Sequence, residues 1–579
     1  MRIVVRRLTT PPDADRMTAE GVKTTEPAVL AEAQLGREIE LLVRLFVDDP
    51  EWIEGPEQHA GLEDATAPAD LTIGYFLGVR GEEALAQVVL TDALGKTIRH
   101  EAARPLVQIS SRVRNTGPDE TGNGSAGSEQ HASWPEAVEE LREAALPHET
   151  ESVPAPAVAH ETSWKVWKRP LQVALLEALS QWAGTRPPWG VLTGVRPVKL
   201  VHRYVEQGWS EEQVAALLAE EYLLAPEKIQ LMTRIVRRQR AVIPDLYDLG
   251  REVSVYVGIP FCPTKCAYCT FPAYSIQGRD GSVAAFLQAL HEEIARVGAW
   301  LQEHGFGVTT VYVGGGTPTS ITAEQLDELL AHLARHLPDR ARWREWTVEA
   351  GRPDTITPEK LDVMKKWQVD RISINPQSFT QATLEAIGRH HTIEETLEAY
   401  ELARRMGMAN INMDLIIGLP GEGMATFLHS LEQVQRLKPE SVTVHTLSFK
   451  RASAMTQNKA RYPVAGRDEV SEMVRWSQAW ADANGYVPYF LYRQKNILGN
   501  QENVGYALPG KECLYNILIM EERQTILGLG CGAVSKIVAP SGKITRYANP
   551  KEPNHYNRHY REYIEGKLKH LEEQLLAPV

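Results

Sequence analysis

The sequence predicts an α/β protein built around a partial (β/α)6 barrel, with an N-terminal α/β module, a helical connector and a C-terminal α+β extension. Three observations lead there. Between residues 251 and 450, six short apolar runs rich in β-branched residues alternate with amphipathic helical segments. Polar or glycine-rich features recur at the ends of five successive runs. Composition shifts on either side divide the rest of the chain.

Residues 1–107 read as the small α/β module, where DLTIGYFLGVRG and ALAQVVLTDALG look like paired strands with glycine-containing turns. Residues 108–163 are rich in Gly, Ser, Pro and acids. Such a composition cannot bury enough apolar surface to order itself, which predicts a flexible linker with PEAVEELREAAL as a short helix inside it. Residues 164–250 are helical in pattern. There SEEQVAALLAEEYL opens with a capping-box signal from Ser210 to Gln213. The Gly/Pro loop RPPWGVLTGVRPVKLVHR reads as a connector in preference to a ligand-binding loop.

From 251 the strand runs are VSVYVGI, TTVYVGG, EWTVEA, RISINPQ, INMDLIIG and SVTVHTLSF. Helical segments between consecutive strands imply parallel pairing, because parallel strands need a long crossover. Six units fall short of the eight of a closed barrel, so an open barrel over 251–450 is expected. Residues 451–579 carry the helix RDEVSEMVRWSQAWADAN and the strand-like YVPYFLYR and QTILGLGCGAV, read as a substrate-covering domain.

A hydrophobic fraction of 43% and a charged fraction of 24% are those of a globular protein. The net charge of −13 argues against a general nucleic-acid binder, which rests on basic surface. The N-terminal MRIVVRRLTTPPDADR has charge but no apolar segment of a signal peptide, and no run approaches a membrane span. A reducing cytoplasmic location is therefore expected.

Three of the five cysteines, Cys262, Cys266 and Cys269, lie in YVGIPFCPTKCAYCTF, directly after the first strand. Thiolates bind soft metals and iron–sulfur clusters. In a four-iron cube, three thiolates leave one iron free to take a small molecule. Structural zinc wants four protein ligands, and neither His291 nor His304 completes a compact set. Cys513 and Cys531 read as small core residues.

The other features also fall at C-terminal strand ends, where ligands bind in parallel β/α folds. Gly314, Gly315, Gly316, Thr317 and Pro318 follow the second strand; Glu349 ends the third, Gln377 the fourth, and Asp414 lies in the fifth. Glycines let backbone groups approach a ligand closely. Glu349 suits an ammonium group, while Gln377 and Asp414 suit sugar hydroxyls. Each taken alone reads equally well as a structural polar group.

Together these motifs resemble the radical S-adenosylmethionine (SAM) enzymes of the oxygen-independent coproporphyrinogen III oxidase family. The resemblance is carried by YVGIPFCPTKCAYCTF, GGGTPT, VEAGRPDT, RISINPQSF, GRHHT, MDLIIGLPG and LGLGCGAVS, in that order over about residues 250–540. WGVLTGVRPVK and YRQKNILGNQENVGYALPGKECLYN are most similar to its HemZ-type branch. The resemblance implies a [4Fe–4S] cluster on Cys262, Cys266 and Cys269, with SAM at the open iron. It assigns Tyr256, Tyr268, Gly315, Gly316, Thr317 and Glu349 to SAM, and Gln377, Arg389 and Asp414 to SAM or a second SAM molecule. It implies a tetrapyrrole substrate and a reductant such as flavodoxin or ferredoxin. The implied reaction removes a hydrogen atom from the β-carbon of a coproporphyrinogen III propionate, after which loss of CO₂ and one electron leaves a vinyl group; two such rounds give protoporphyrinogen IX. Lys450, Arg451, Arg493 and Lys495 are candidate partners for the propionates or, equally, surface charges.

The sequence departs from the family pattern at Phe271, where some relatives carry a fourth cysteine, and at Asn375-Pro376, where relatives often have Gly-Val. Two alternatives follow: a haem chaperone of HemW type, or a radical SAM enzyme acting on another tetrapyrrole. The chaperone branch carries a His-Asn-x-x-Tyr-Trp stretch, and the string here begins with Glu502 in place of the histidine.

Overall fold

The structure is a computed structural model of the chain. It describes residues 2–7, 22–24, 29–46, 51–53, 70–80, 83–105, 164–276, 282–450 and 452–576. The expected linker, its short helix and Arg451 lie outside the described residues. Residues 1–193 and 210–229 form one compact unit, and residues 194–209 and 230–579 a second, so the helical stretch 164–250 is divided between them.

In the first unit, strands β1 (Arg2–Arg7), β2 (Val22–Thr24), β3 (Glu51–Ile53), β4 (Leu71–Arg80), β5 (Glu83–Asp92) and β6 (Thr97–Pro105) make a six-stranded sheet of order β3-β1-β4-β5-β6, with β2 on β4. The two runs read as paired strands are β4 and β5, antiparallel from Leu71↔Asp92 to Arg80↔Glu83. Helices α1 (Val29–Val43) and α2 (Trp164–Ala183) bury Leu35, Ile39, Leu42, Leu171, Leu175 and Leu179 against Ile73, Val88 and Leu90. Glu38, within this layer, accepts from Gln172 Nε2 at 2.7 Å and pairs with Lys168 Nζ at 2.6 Å. The buried carboxylate is thus satisfied, as burial requires.

The second unit is built on one sheet. Its strands are β7 (Glu252–Ile259), β10 (Gly307–Gly315), β11 (Glu345–Glu349), β12 (Arg371–Ser373), β13 (Ile411–Ile417), β14 (Ser441–Thr446), β15 (Val487–Tyr492), β16 (Asn503–Ala507), β17 (Thr525–Gly530), β18 (Val534–Val538) and β19 (Ile544–Ala548). A separate short pair, β8 (Phe261–Cys262) and β9 (Tyr274–Ser275), frames the cysteine loop. The order β15-β16-β14-β13-β12-β11-β10-β7-β17-β18-β19 contains the six expected parallel strands as consecutive neighbours, from β7 to β14. These six form the open, partial barrel expected over residues 251–450.

One strand of the C-terminal extension joins that barrel. β17 pairs in parallel with β7 from Thr525↔Val253 to Gly530↔Gly258. Small residues make this possible. A Cβ on Gly530 would sit 2.5 Å from the Gly258 carbonyl oxygen, and one on Gly528 would sit 2.7 Å from the backbone of Val534. Packing at these distances excludes any side chain.

The crossover helices have clear starts. Thr322, Thr392 and Ser210 each open a helix with a capping box, in which the hydroxyl and the Gln or Glu three residues on satisfy reciprocal backbone donors. Helix α6 (Val283–Glu303) begins at Ser282 and α7 (Ala323–His336) at Thr322. Helix α14 (Leu514–Glu521) is held from outside: the buried Glu345 of β11 accepts the N–H groups of Leu514 at 2.8 Å and Tyr515 at 3.1 Å. A carboxylate at a helix N-terminus satisfies orphan donors and complements the dipole. It also fixes where Tyr515 points.

Candidate active site

The C-terminal strand ends surround a cavity of about 590 Å³, lined by every residue assigned above to the cluster or to SAM. β-strand alternation explains much of this. Tyr256 and Tyr312 are register partners on β7 and β10, and Gly314 follows two residues after Tyr312 on the same face. Asn412 and Asp414, and Thr443 and His445, repeat the pattern on β13 and β14, and all four line the cavity.

The glycine turn is packed against the cysteine loop. Gly316 N–H donates to the Ile259 carbonyl at 2.7 Å and Thr317 N–H to the Phe261 carbonyl at 2.8 Å. A Cβ on Gly316 would lie 2.6 Å from Phe261 O and 3.0 Å from Cys262 Sγ. Gly315 has φ +109°, and a Cβ there would meet Ile259 O at 2.7 Å. A Cβ on Gly314 would meet Glu349 Oε2 at 3.0 Å. Three consecutive glycines are therefore steric requirements of the site.

Cys262, Cys266 and Cys269 are free and partly buried in the cavity wall. Burial pushes the Cys262 thiol up to about 11; the Thr317 hydroxyl, 3.3 Å from Sγ, works in the opposite direction. Burial also raises Cys269. Thiolates in this pocket need a cationic partner, which a bound metal centre supplies.

Glu349 accepts a short hydrogen bond from the Tyr312 hydroxyl. Burial raises its carboxyl to about 7, with Tyr312 opposing and Asp414 adding to the rise. Tyr312 stacks on Tyr515 with ring centroids 4.4 Å apart, and Tyr256 stacks 6.2 Å from each. Asp414 behaves differently. Burial pushes it up, but hydrogen bonds from His445, Asn412 and Thr443 outweigh burial and leave it below the usual carboxylate range. His445 Nε2 lies 3.6 Å from Asp414 Oδ2, and its Nδ1 lies 3.1 Å from the Tyr492 hydroxyl.

Gln377 is a non-glycine residue at φ +67°, placed by its N–H to Asp414 O at 2.9 Å and by Ile416 N–H to its own carbonyl at 3.0 Å. Such a conformation persists only where surroundings impose it. Arg389 donates to Gly351 O at 2.7 Å and Asn375 O at 2.9 Å. Burial opposes its charge, but Tyr268 and Cys266 outweigh that and hold the guanidinium above its usual value. Tyr312, Tyr515, His445 and Tyr492 were not singled out in the sequence. Tyr312 and His445 left a signal all the same, as large polar-tipped residues at alternate positions within apolar strands.

A neighbouring depression of about 470 Å³ shares Ser448, Lys450, Tyr492, Gln494 and Met520 with the cavity. Lys450, Arg493 and Lys495 line it, as does Arg196 from the loop read as a connector. Among the described residues no carboxylate lines it, although Arg196 is ion-paired with Glu522 behind it. Arg493 is 5% exposed, and burial lowers its guanidinium to about 10. Burial lowers Lys450 too.

The fold and the thiol-lined strand ends define a radical SAM protein, and residues 256–434 match the Radical SAM superfamily. The chain is 58% identical over 420 residues to the oxygen-independent coproporphyrinogen-III oxidase-like protein HemZ of Bacillus subtilis, covering 72% of this chain and 84% of that protein. It is 31% identical over 305 residues to the haem chaperone HemW of Bacillus subtilis, covering 52% and 74%. The solved coproporphyrinogen III oxidase HemN of Escherichia coli, a radical SAM enzyme, matches at 22% identity and TM-score 0.44, covering 56% of this chain and 72% of that one. The chain belongs to the oxygen-independent coproporphyrinogen-III oxidase-like family of radical SAM proteins that includes HemZ.

The cofactors of this family are a [4Fe–4S] cluster and SAM. The residues present fit them. Among the described residues, the three thiol sulfurs do not form a set within 4.8 Å of one another. A single tetrahedral zinc holds its sulfurs only ~3.8 Å apart, as Zn–S bonds of about 2.3 Å require. The wider spread suits a cluster, and the bare Gly316 leaves the approach to Cys262 open.

Proposed function

We propose that this protein converts two of the four propionates of coproporphyrinogen III to vinyl groups by radical SAM chemistry, each round removing a β-hydrogen atom, CO₂ and one electron, the electron passing to a one-electron acceptor. The observation that carries this reading is the basic depression that Arg196, held by its ion pair with Glu522, lines together with Lys450, Arg493 and Lys495 beside the thiol-lined cavity. A tetrapropionate needs cations, and arginine pairs with carboxylates in bidentate fashion. When bound, the cluster and SAM supply the one-electron chemistry that removes a propionate β-hydrogen.

The chain's own residues have separable tasks in this reading. Cys262, Cys266 and Cys269 hold the cluster. Glu349, oriented by Tyr312, accepts the SAM ammonium, and the glycine turn lets backbone groups approach its carboxylate. Asp414, held ionised by His445 and Asn412, accepts from ribose hydroxyls, with Gln377 and Arg389 setting the strand ends around it. Lys450 stands 5.7 Å over the Phe271 ring, which is 57% exposed, so a cation and an apolar face adjoin at the cavity. That combination suits a macrocycle with an apolar ring and an anionic rim.

The haem-chaperone reading gains little from the stretch that would carry it. Asn503–Ala507 form β16, buried at every position, and Glu502 is 2% exposed. The test is an anaerobic assay with reductant, SAM and coproporphyrinogen III. Vinyl product, CO₂ and 5′-deoxyadenosine are expected. Tight haem binding with no SAM turnover would overturn the proposal.

A further inference from the structure

Away from the cavity, two crossover helices bring together a second set of donor groups. Glu328, His332 and His336 follow one another at four-residue intervals along α7, which puts them on one helix face. His291 comes from the adjacent α6. None of the four lines the cavity.

We propose that His291, Glu328 and His332 form a site for a divalent transition metal of the zinc class, with water completing its shell. Among the described residues this is the set of histidine and carboxylate donors whose ligand atoms all lie within 4.8 Å of one another. The rings of His291 and His332 stack at 4.0 Å with 4° between their planes, and His336 stacks 5.4 Å beyond His332. His291 Nδ1 lies 3.9 Å from Glu328 Oε1.

A second observation points to a ligand. His291 is 9% exposed, yet its Nε2 has no hydrogen-bond partner, and the buried Nδ1 of His332 has none either. Buried polar atoms are nearly always satisfied, and an orphan nitrogen carries an uncompensated desolvation cost. Two stacked orphan imidazoles double that cost with no compensation inside the protein. The lone pairs lie in the ring planes, so a cation at the ring edges would use both once the two rings turn out of their parallel stack.

The scaffold is rigid at this point. A Cβ on Gly298 of α6 would lie 2.3 Å from the His336 carbonyl oxygen, so the two helices cross in direct backbone contact. Zinc ligands at about 2.0–2.2 Å from the metal stand ~3.4 Å apart. Closure therefore asks the donor atoms to approach by up to about 1.4 Å and the two rings to turn out of their parallel stack, with the helices in place. Imidazole with one carboxylate suits zinc in preference to magnesium or calcium, which take oxygen ligands.

The test uses the full, tag-free, cluster-loaded protein equilibrated with zinc chloride, with zinc and iron both quantified by mass spectrometry. One zinc per chain beyond the cluster iron is expected. His332→Gln and Glu328→Gln should each weaken zinc binding about tenfold or more while iron content and circular dichroism stay unchanged. Cys266→Ala should lose iron and keep zinc. Zinc retained at wild-type affinity by His332→Gln, zinc lost with Cys266→Ala, or no zinc bound by the wild-type chain would each overturn the assignment.

Discussion

Replacing Gly316 with alanine tests whether the glycine turn and the cysteine loop form one rigid unit. Gly316 is not in the left-handed region, so the effect is steric. The new Cβ would fall 2.6 Å from Phe261 O and 3.0 Å from Cys262 Sγ. Ordinary contact begins near 3.4 Å, so the loop must retreat about 0.8 Å at Phe261 and 0.4 Å at Cys262. Cluster ligands tolerate only about ±0.2 Å. The cost of such overpacking is about 1–3 kcal/mol, a loss of roughly 5–150-fold in cluster affinity. The assay is iron retention under chelator challenge in anaerobic protein, with circular dichroism as a fold control. Gly421→Ala is a matched control: φ is +76° there, but nothing lies within 4 Å of the added Cβ. Its iron retention should equal that of the wild type. Wild-type iron retention in Gly316→Ala would refute the apposition argued above.

Glu349→Gln should weaken SAM binding about tenfold or more, the worth of one charge-assisted contact, measured by calorimetry on cluster-loaded protein. In the wild type, SAM affinity should fall as pH drops through about 7, where the carboxyl takes up its proton. Because that pKa is raised on folding, its favourable term is fully present below the unfolded value near 4.5 and is lost as pH rises through about 7. Denaturant titrations should therefore show ~3 kcal/mol less stability at pH 8 than at pH 4.5 from this group, absent in Glu349→Gln. Lys495→Met and Lys450→Met should each raise KM for coproporphyrinogen III about tenfold and leave SAM affinity unchanged. Equal KM values would remove these lysines from substrate binding. Lys567 and Glu293 are both fully buried and paired, so Lys567→Met should destabilise by ~3–5 kcal/mol in chemical denaturation. A loss under ~1 kcal/mol would contradict that, since Glu293 would be left charged in the core.

The parts of the site that chemistry restricts to one residue type were readable from the sequence. Cys262, Cys266 and Cys269 stand out because few roles need three thiols so close together. Gly315 and Gly316 stand out because backbone oxygens of Ile259 and Phe261 lie where a Cβ would fall, and Gly314 because the Tyr312 ring and the Glu349 carboxylate do. The six core strands were readable because parallel pairing forces a helix between consecutive strands. What escaped was set by register and distance along the chain. Tyr312 in TTVYVGG looks like any strand aromatic until its pairing with Tyr256 turns both rings toward the cavity. Tyr515 depends on Glu345 gripping the helix start from a strand far upstream. Arg196 sits in a loop whose composition is that of a connector, and only folding brings it beside Arg493, whose N–H donates to Val195 O at 2.8 Å.

The C-terminal extension explains how an incomplete barrel can serve a large substrate. Seven parallel strands cannot close a barrel, and an open parallel sheet leaves two raw edges that invite aberrant pairing. Here both edges end in antiparallel ribbons: β16 and β15 beyond β14, and β18 and β19 beyond β17. The ribbons satisfy the edges without closing the barrel. They also give the two flanks different chemistry. Residues after β14 and β15 supply Lys450, Arg493 and Lys495, while the β17–β18 side brings Cys531, Gly532 and the exposed Val534 to the cavity. A Cβ on Gly532 would lie 2.6 Å from Pro272, so the end of β17 rests directly on the cysteine loop. The same extension that braces the thiols thus builds one cationic and one apolar flank, which suits a ring carrying carboxylates on its rim.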